Sequence, residues 1–195
     1  PIAVAYCAAK LREVLGGKPS EVLAEVSGNI LKNVKSVVVP NTDGRRGIDA
    51  AIAVGIVAGD ADAELQVIAN VTEEDVGRIQ AYLDSTPIKV TCPETPCMLD
   101  ICLHGTLDGH SATVRVANNH TNIVFIEKDG DILLEKPLTA NAEDNLQDKS
   151  VLNVQDILTF AETVPLEKIK PLISRQIEKN TAIAKEGLEN SWGAN

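Results

Sequence analysis

Apolar and polar positions along this chain follow two periods, and the places where the period changes mark the elements. Val4, Ala8, Leu11 and Leu15 recur at helical spacing until Gly16-Gly17 end the pattern, which predicts a first helix with Pro1 in its first turn. Cys7 lies beside that stripe and reads as a small buried hydrophobe. Val22, Ala24 and Val26 alternate with charged neighbours, as in a half-buried strand, and residues 28–33 read as a turn or short helix. Val37, Val38 and Val39 form a β-branched run closed by Pro40, which predicts a buried strand. Residues 48–59 are nearly all small and apolar, as a helix packed tightly on a sheet would be, and residues 61–70 also read as helical. Thr72 and Asp75 make a capping box, with Val76, Ile79 and Leu83 as the apolar face of a helix that Pro87 ends.

The period then falls to two. Residues 88–91 predict a strand, and Ile101, Leu103, Gly105 and Leu107 alternate with Cys102, His104, Thr106 and Asp108. Asp108-Gly109 and Asp129-Gly130 are hairpin signals. Val114 and Val116 lie on a return strand, and residues 123–126 and 132–134 predict two more. Residues 138–150 are polar and read as a linker; residues 154–163 and 166–188 return to helical spacing, with Pro171 near the first turn of the second helix. The pattern as a whole is α+β: a mixed sheet carrying helices, flanked by helices at both ends.

Composition narrows the function classes. With 28 acidic against 18 basic residues the net charge is −10, which does not attract nucleic acid or anionic lipid. Aromatic content of 3% argues against base-stacking platforms. No apolar run is long enough to span a bilayer, and no signal peptide is visible. Four cysteines in a composition of this kind point to reduced thiols or metal ligands rather than disulfides, and to a cytoplasmic setting. The chain starts without Met, directly in a helical pattern, and stops just after another, so a fragment of a longer protein is expected.

Two polar clusters are the chemical candidates. Asn41, Thr42 and Asp43 can cap backbone N–H groups, and Gly44 and Gly47 permit unusual backbone shapes, so the turn after Val39 reads either as a small-anion site or as an ordinary capped connection. Arg45 and Arg46 in the same turn can grip a carboxylate or simply be solvated. The second cluster runs from Asn118 to Asn122. His120, flanked by Asn119, Thr121 and Asn122, can orient a carboxylate, move a proton, or cap its own loop. His104 and His110 read as structural or solvated. Cys92, Cys97 and Cys102 have the spacing C-x4-C-x4-C, which matches neither zinc patterns nor the plant-type ferredoxin spacing, so thiols are favoured over ligands. Walker, dinucleotide-binding, zinc-protease and nucleophile-elbow motifs are all absent.

The run Val39-Pro40-Asn41-Thr42-Asp43-Gly44-Arg45-Arg46-Gly47-Ile48 resembles a segment of the L-cysteine desulfidase family, which is related to the alpha chain of iron–sulfur L-serine dehydratase. Asn119-His120-Thr121-Asn122-Ile123-Val124 resembles that family's H-T-N-I signature, and Pro1-Ile2-Ala3-Val4-Ala5 is similar to the helix that follows its Cys-Thr-Glu-Pro motif. The resemblance implies an amino-acid lyase that eliminates sulfide from cysteine or water from serine, leaving ammonia and pyruvate. Its cofactor would be a [4Fe–4S] cluster with one open iron position. It implies substrate contacts from Asn41, Thr42, Thr121 and Asn122, with His120 catalytic. It implies no metal ligand in this chain: the first cluster cysteine would precede Pro1, and Cys7, Cys92, Cys97 and Cys102 do not match the others. It further implies an N-terminal helix at 1–19 belonging to a helical catalytic domain, an inserted α+β domain at 20–137, and a linker and helices at 138–195 leading back to the helical domain. By itself the fragment would be inactive. Its partners would be the amino acid, the missing C-terminal half and a possible second copy, with no nucleic acid or membrane. The alternative expectation is a small-molecule-sensing or dimerisation module.

Overall fold

The first helix, α1 (Ile2–Leu15), forms the centre of the main core. Ala3, Val4, Ala5, Cys7, Ala8, Ala9 and Leu11 are all buried, on several sides of the helix, because it lies between a sheet and a second helix. Gly16, at φ 85°, closes α1, and the N–H groups of Gly16 and Gly17 both bond the Arg12 carbonyl. The computed structural model describes residues 1–138 and 152–190. The chain divides into two compact units, Pro1–Asp144 and Asn145–Asn195.

In the first unit six strands form one mixed sheet. They are β1 (Glu21–Val26), β2 (Ile88–Thr91), β3 (Asp100–Leu107), β4 (His110–Ala117), β5 (Ile123–Lys128) and β6 (Asp131–Glu135), in the order β2-β1-β3-β4-β5-β6. β1 and β2 are parallel and every other pair is antiparallel. Both expected Asp-Gly hairpins are present: Asp108 and Gly109, and likewise Asp129 and Gly130, take the positive φ angles of a tight two-residue turn. The alternation seen in the sequence becomes a two-faced sheet. Val22, Ala24, Val26, Ile101, Leu103, Val114 and Val116 are buried in the core cluster that α1 shares.

Three more helices complete this unit: α2 (Gly28–Val34), α3 (Gly47–Ala58) and α4 (Glu73–Ser85). α3 packs across α1, and the two backbones nearly touch at Gly55: a Cβ there would stand 2.2 Å from the Ala5 carbonyl oxygen. Arg12 fastens the far end of the pair by donating to the carbonyls of Ile56 and Gly59, which the end of α3 leaves open. α4 carries the complete Thr72–Asp75 capping box. Tyr82, on the same helix, donates from its hydroxyl to the Pro19 carbonyl at 2.7 Å, and burial pushes its pKa up to about 12. Thus α1, which the resemblance assigns to a helical domain, lies here in the same core as the sheet.

Two expected elements differ. Val37–Val39 is not a strand of the sheet. Val38 makes one isolated bridge to Arg46, Val37 and Val38 are exposed, and only Val39 is buried. Without a neighbouring strand a β-branched run has nothing to pair with, whatever its propensity. The expected helix over 61–70 is a short 3-10 helix, Ala61–Gln66, broken at Glu64 with φ 48°.

The second unit contains α5 (Val154–Thr163) and α6 (Leu166–Asn190). The Asn153 side chain caps α5 by accepting from the Asp156 N–H. Pro171 lies within α6, one turn from its start. Beyond Leu138, the expected linker lies outside the described residues up to Val151. Among the described residues no helix is long and apolar enough to cross a membrane.

Candidate functional site

The turn between Val39 and α3 is held by its own side chains. Thr42 is fully buried and its hydroxyl donates to the Val39 carbonyl at 2.7 Å. Asn41 donates from Nδ2 to the Ile68 carbonyl at 2.8 Å. Asn41 and Asp43 take left-handed backbone angles, φ 60° and 55°, followed by Gly44 and Gly47. Contrary to expectation, none of these polar residues caps α3; its N-cap is Arg46, which makes no side-chain cap. The two arginines also have protein partners. Arg45 donates to Gln80 and to the Thr42 carbonyl, and Arg46 to the Ser36 carbonyl.

The second cluster joins β4 to β5. Asn118 is left-handed at φ 68°, and the Asn122 side chain donates back to the Ala117 carbonyl at 2.9 Å, so Asn122 shapes its own loop. His120 is exposed, and neither its ring nor the Thr121 hydroxyl makes a hydrogen bond among the described residues. A cavity of about 480 Å³ beside the first turn is lined by Asn41, Asp43, Val71, Thr72, Glu73 and Val76. His120, Thr121 and Asn122 do not line it.

The sheet face turned away from α1 brings together a set that the sequence left dispersed. Glu25 on β1 stands directly opposite Cys102 on β3, and Cys102 opposite Arg115 on β4. Two pairs further along, on the same face, His104 stands opposite Thr113. Glu25 Oε2 lies 3.1 Å from His104 Nε2, and Cys102 Sγ lies 3.5 Å from the same nitrogen. Thr113 Oγ1 holds the other ring nitrogen, Nδ1, at 2.9 Å. Arg115 makes a two-pronged ion pair with buried Asp100, at 2.8 and 2.6 Å, which also accepts from the Thr95 hydroxyl. Burial raises the Cys102 thiol to about 12, against the opposing pull of Arg115. Glu25, Cys102, His104, Thr113 and Arg115, with Phe125, Glu127 and the segment after β6, line a cavity of about 840 Å³.

The alternation of Cys102, Leu103 and His104 placed cysteine and histidine on one face in advance. What the sequence could not supply was Glu25, which lies about eighty positions earlier and arrives only through the β1–β3 register.

All four cysteines are thiols rather than disulfides. Cys7 is buried between α1 and the sheet, where it donates to the Val114 carbonyl at 3.3 Å and burial pushes its pKa well up. Cys92 is exposed and Cys97 is buried beside Ala117 and Val124. Among the described residues the one trio of metal-competent side chains with donor atoms within 4.8 Å of one another is Glu25, Cys102 and His104. Cys7 lies in the core under α1 and Cys102 on the opposite face of the sheet, so these two thiols cannot share one iron–sulfur cluster.

The fold and site define an α+β unit whose sheet has one buried face and one open, polar face. Over nearly its whole length the chain is similar to several proteins named UPF0597 protein. One from Treponema denticola is 45% identical over 194 residues, which is 99% of this chain and 45% of that protein. One from Desulfitobacterium hafniense is 46% identical over 195 residues, 100% of this chain and 45% of that protein. One from Shewanella oneidensis is 36% identical over 194 residues, 99% of this chain and 45% of that protein. The chain thus spans about half the length of these relatives. Their names carry neither desulfidase nor dehydratase wording. No family model matches the chain. No solved structure matches it.

Proposed function

We propose that this chain is the N-terminal part of a cytoplasmic amino-acid lyase that catalyses α,β-elimination from L-cysteine or L-serine. The observation that carries this reading is the left-handed backbone at Asn41, Asp43 and Asn118. At Asp108 and Asp129 a hairpin turn accounts for the same angle. Glu64 takes it where the short 3-10 helix breaks, and the remaining three fall in or next to the two polar stretches that resemble the lyase family; unusual backbone of this kind concentrates at functional sites. His120 and Thr121 are the groups left available to act on substrate, His120 being the one that can move a proton, since Asn41, Thr42 and Asn122 spend hydrogen bonds on loop shape. The iron–sulfur ligands would come from outside these residues.

The test uses the full-length protein, purified and iron-reconstituted without oxygen. Pyruvate and ammonia are expected from cysteine, with sulfide, or from serine. His120→Ala should lower turnover on the order of a hundredfold, the scale of a lost acid–base group, with an unchanged melting temperature. No pyruvate from either amino acid would overturn the lyase reading, and unchanged turnover in His120→Ala would overturn the site. The cavity on the open sheet face favours a second reading, a small-molecule-sensing module. Calorimetric binding of serine or cysteine to the iron-free 195-residue chain would support that reading instead.

A further inference from the structure

The open face of the sheet carries a geometric puzzle at His104. Its Nδ1 is engaged by the Thr113 hydroxyl, so Nε2 is the nitrogen aimed outward. Two electron-rich atoms converge on that one nitrogen: Glu25 Oε2 at 3.1 Å and Cys102 Sγ at 3.5 Å. A single ring nitrogen offers one proton or one lone pair. A proton on Nε2 satisfies the carboxylate and leaves the sulfur only the weak donor role of a thiol. A neutral ring with its lone pair on Nε2 repels the carboxylate. A shared cation removes the conflict, because it accepts one lone pair from each atom.

The spacings suit such an ion. A tetrahedral centre with metal–sulfur and metal–nitrogen bonds of about 2.3 and 2.0 Å separates sulfur from nitrogen by roughly 3.5 Å, and nitrogen from oxygen by roughly 3.3 Å. The observed separations agree with both to within about 0.2 Å. We infer that Glu25, Cys102 and His104 form a binding site for a divalent transition-metal ion of the zinc class, with the fourth position open to the cavity.

Three further features agree. The ligands come from facing positions on two paired strands, so their relative placement is set by sheet register rather than by loop conformation. Thr113 fixes the ring orientation from the neighbouring strand, as an outer-shell partner of a metal-bound imidazole does. The donor set of one thiolate, one imidazole and one carboxylate suits zinc, cobalt or ferrous iron and disfavours magnesium or calcium. Binding would displace the Cys102 proton to solvent and leave the metal bound to sulfur, with no change of oxidation state. The site is independent of the lyase proposal, since it needs neither an iron–sulfur cluster nor the residues of the two polar turns.

The test is metal binding by the whole 195-residue chain under reducing conditions. One zinc ion per chain is expected by competition with a chromophoric chelator, and cobalt should give a sulfur-to-metal charge-transfer band. Cys102→Ser should abolish that band. Glu25→Gln, at a half-exposed position that leaves the core untouched, should weaken zinc at least tenfold. Thr113→Val should weaken it on the order of tenfold through the ring orientation alone. Cys92→Ala, at an exposed cysteine outside the site, should change nothing. Zinc affinity that is unaltered in Glu25→Gln and Thr113→Val, or a charge-transfer band that survives Cys102→Ser, would overturn the inference. So would a band lost in Cys92→Ala.

Discussion

Replacing one hydrogen by a methyl group at Gly55 tests the packing of α1 on α3 directly. Two effects oppose each other. In a helix interior, alanine is more favourable than glycine by about 1 kcal/mol. Against this, the new Cβ would lie 2.2 Å from the Ala5 carbonyl oxygen and 2.9 Å from the Ala5 carbonyl carbon and Cα. These are backbone atoms, so no rotamer change relieves them. The helices must part by roughly 1 Å, a gap that forfeits a quarter to a half of the dispersion energy of each separated contact. At that interface Ala5 lies against Gly55 and Ala9 against Gly59, and Ala8, Ile52 and Ile56 of the same two helices are fully buried. Overpacking of this kind costs about 1–3 kcal/mol and sometimes more. With backbone on both sides the upper end applies, so Gly55→Ala should lose about 2 kcal/mol net. Gly77 provides the control, since it lies in α4 and a Cβ there meets nothing within 4 Å. Gly77→Ala should gain about 0.5–1 kcal/mol. Urea unfolding of the 195-residue chain, followed by far-ultraviolet circular dichroism, measures both. Equal or greater stability in Gly55→Ala would refute the reasoning.

Two other outcomes are expected from the same assay. Arg115→Ala strands the Asp100 carboxylate, only 5% exposed, with the Thr95 hydroxyl as its remaining side-chain donor. It should cost about 3 kcal/mol, and a loss below about 1 would mean that water reaches the site. Stability should fall as the solution turns alkaline. The Cys102 thiol and the Tyr82 hydroxyl have pKa values raised to about 12 in the folded chain, from 9.0 and 10.0, so above pH 9 the unfolded chain releases protons that the native one retains. Their stabilisation is complete below pH 9 and is lost between about pH 9 and 12. Tyr82→Phe and Cys102→Ala should each flatten part of that decline, and urea midpoints that hold constant from pH 9 to 11 would contradict it.

The sequence disclosed most of the sheet because its signals are local. Asp-Gly between alternating runs demands a tight turn, and alternation itself names the buried face, so β3, β4, β5 and β6 follow from neighbours alone. The Thr72–Asp75 box is equally local. The run at Val37 misled because strand formation depends on a partner that no local pattern reports. The candidate sites divide in the same way. Polar residues at Asn41 and His120 were visible as clusters, but whether a side chain faces solvent or bonds its own loop depends on neighbours such as Ile68, which lie outside the motif. The Glu25–Cys102–His104 group depends entirely on pairing across strands and was legible only in its Cys102–His104 half.

The burial of α1 also bears on how the chain acquires its structure. This helix is apolar on most sides, yet the carbonyl that receives the Cys7 thiol belongs to Val114, 107 positions later. At synthesis rates of roughly 5–20 residues per second, the wait for β4 lasts on the order of 5–20 s. During that interval α1 has no sheet to lie on, and its first substantial partner is α3, about forty residues behind it. The close approach at Gly55 is thus a contact that the two helices can make before the sheet exists. A substitution that loosens it should slow folding as well as weaken the native state, because the hydrophobic pair would emerge unassembled and open to aggregation.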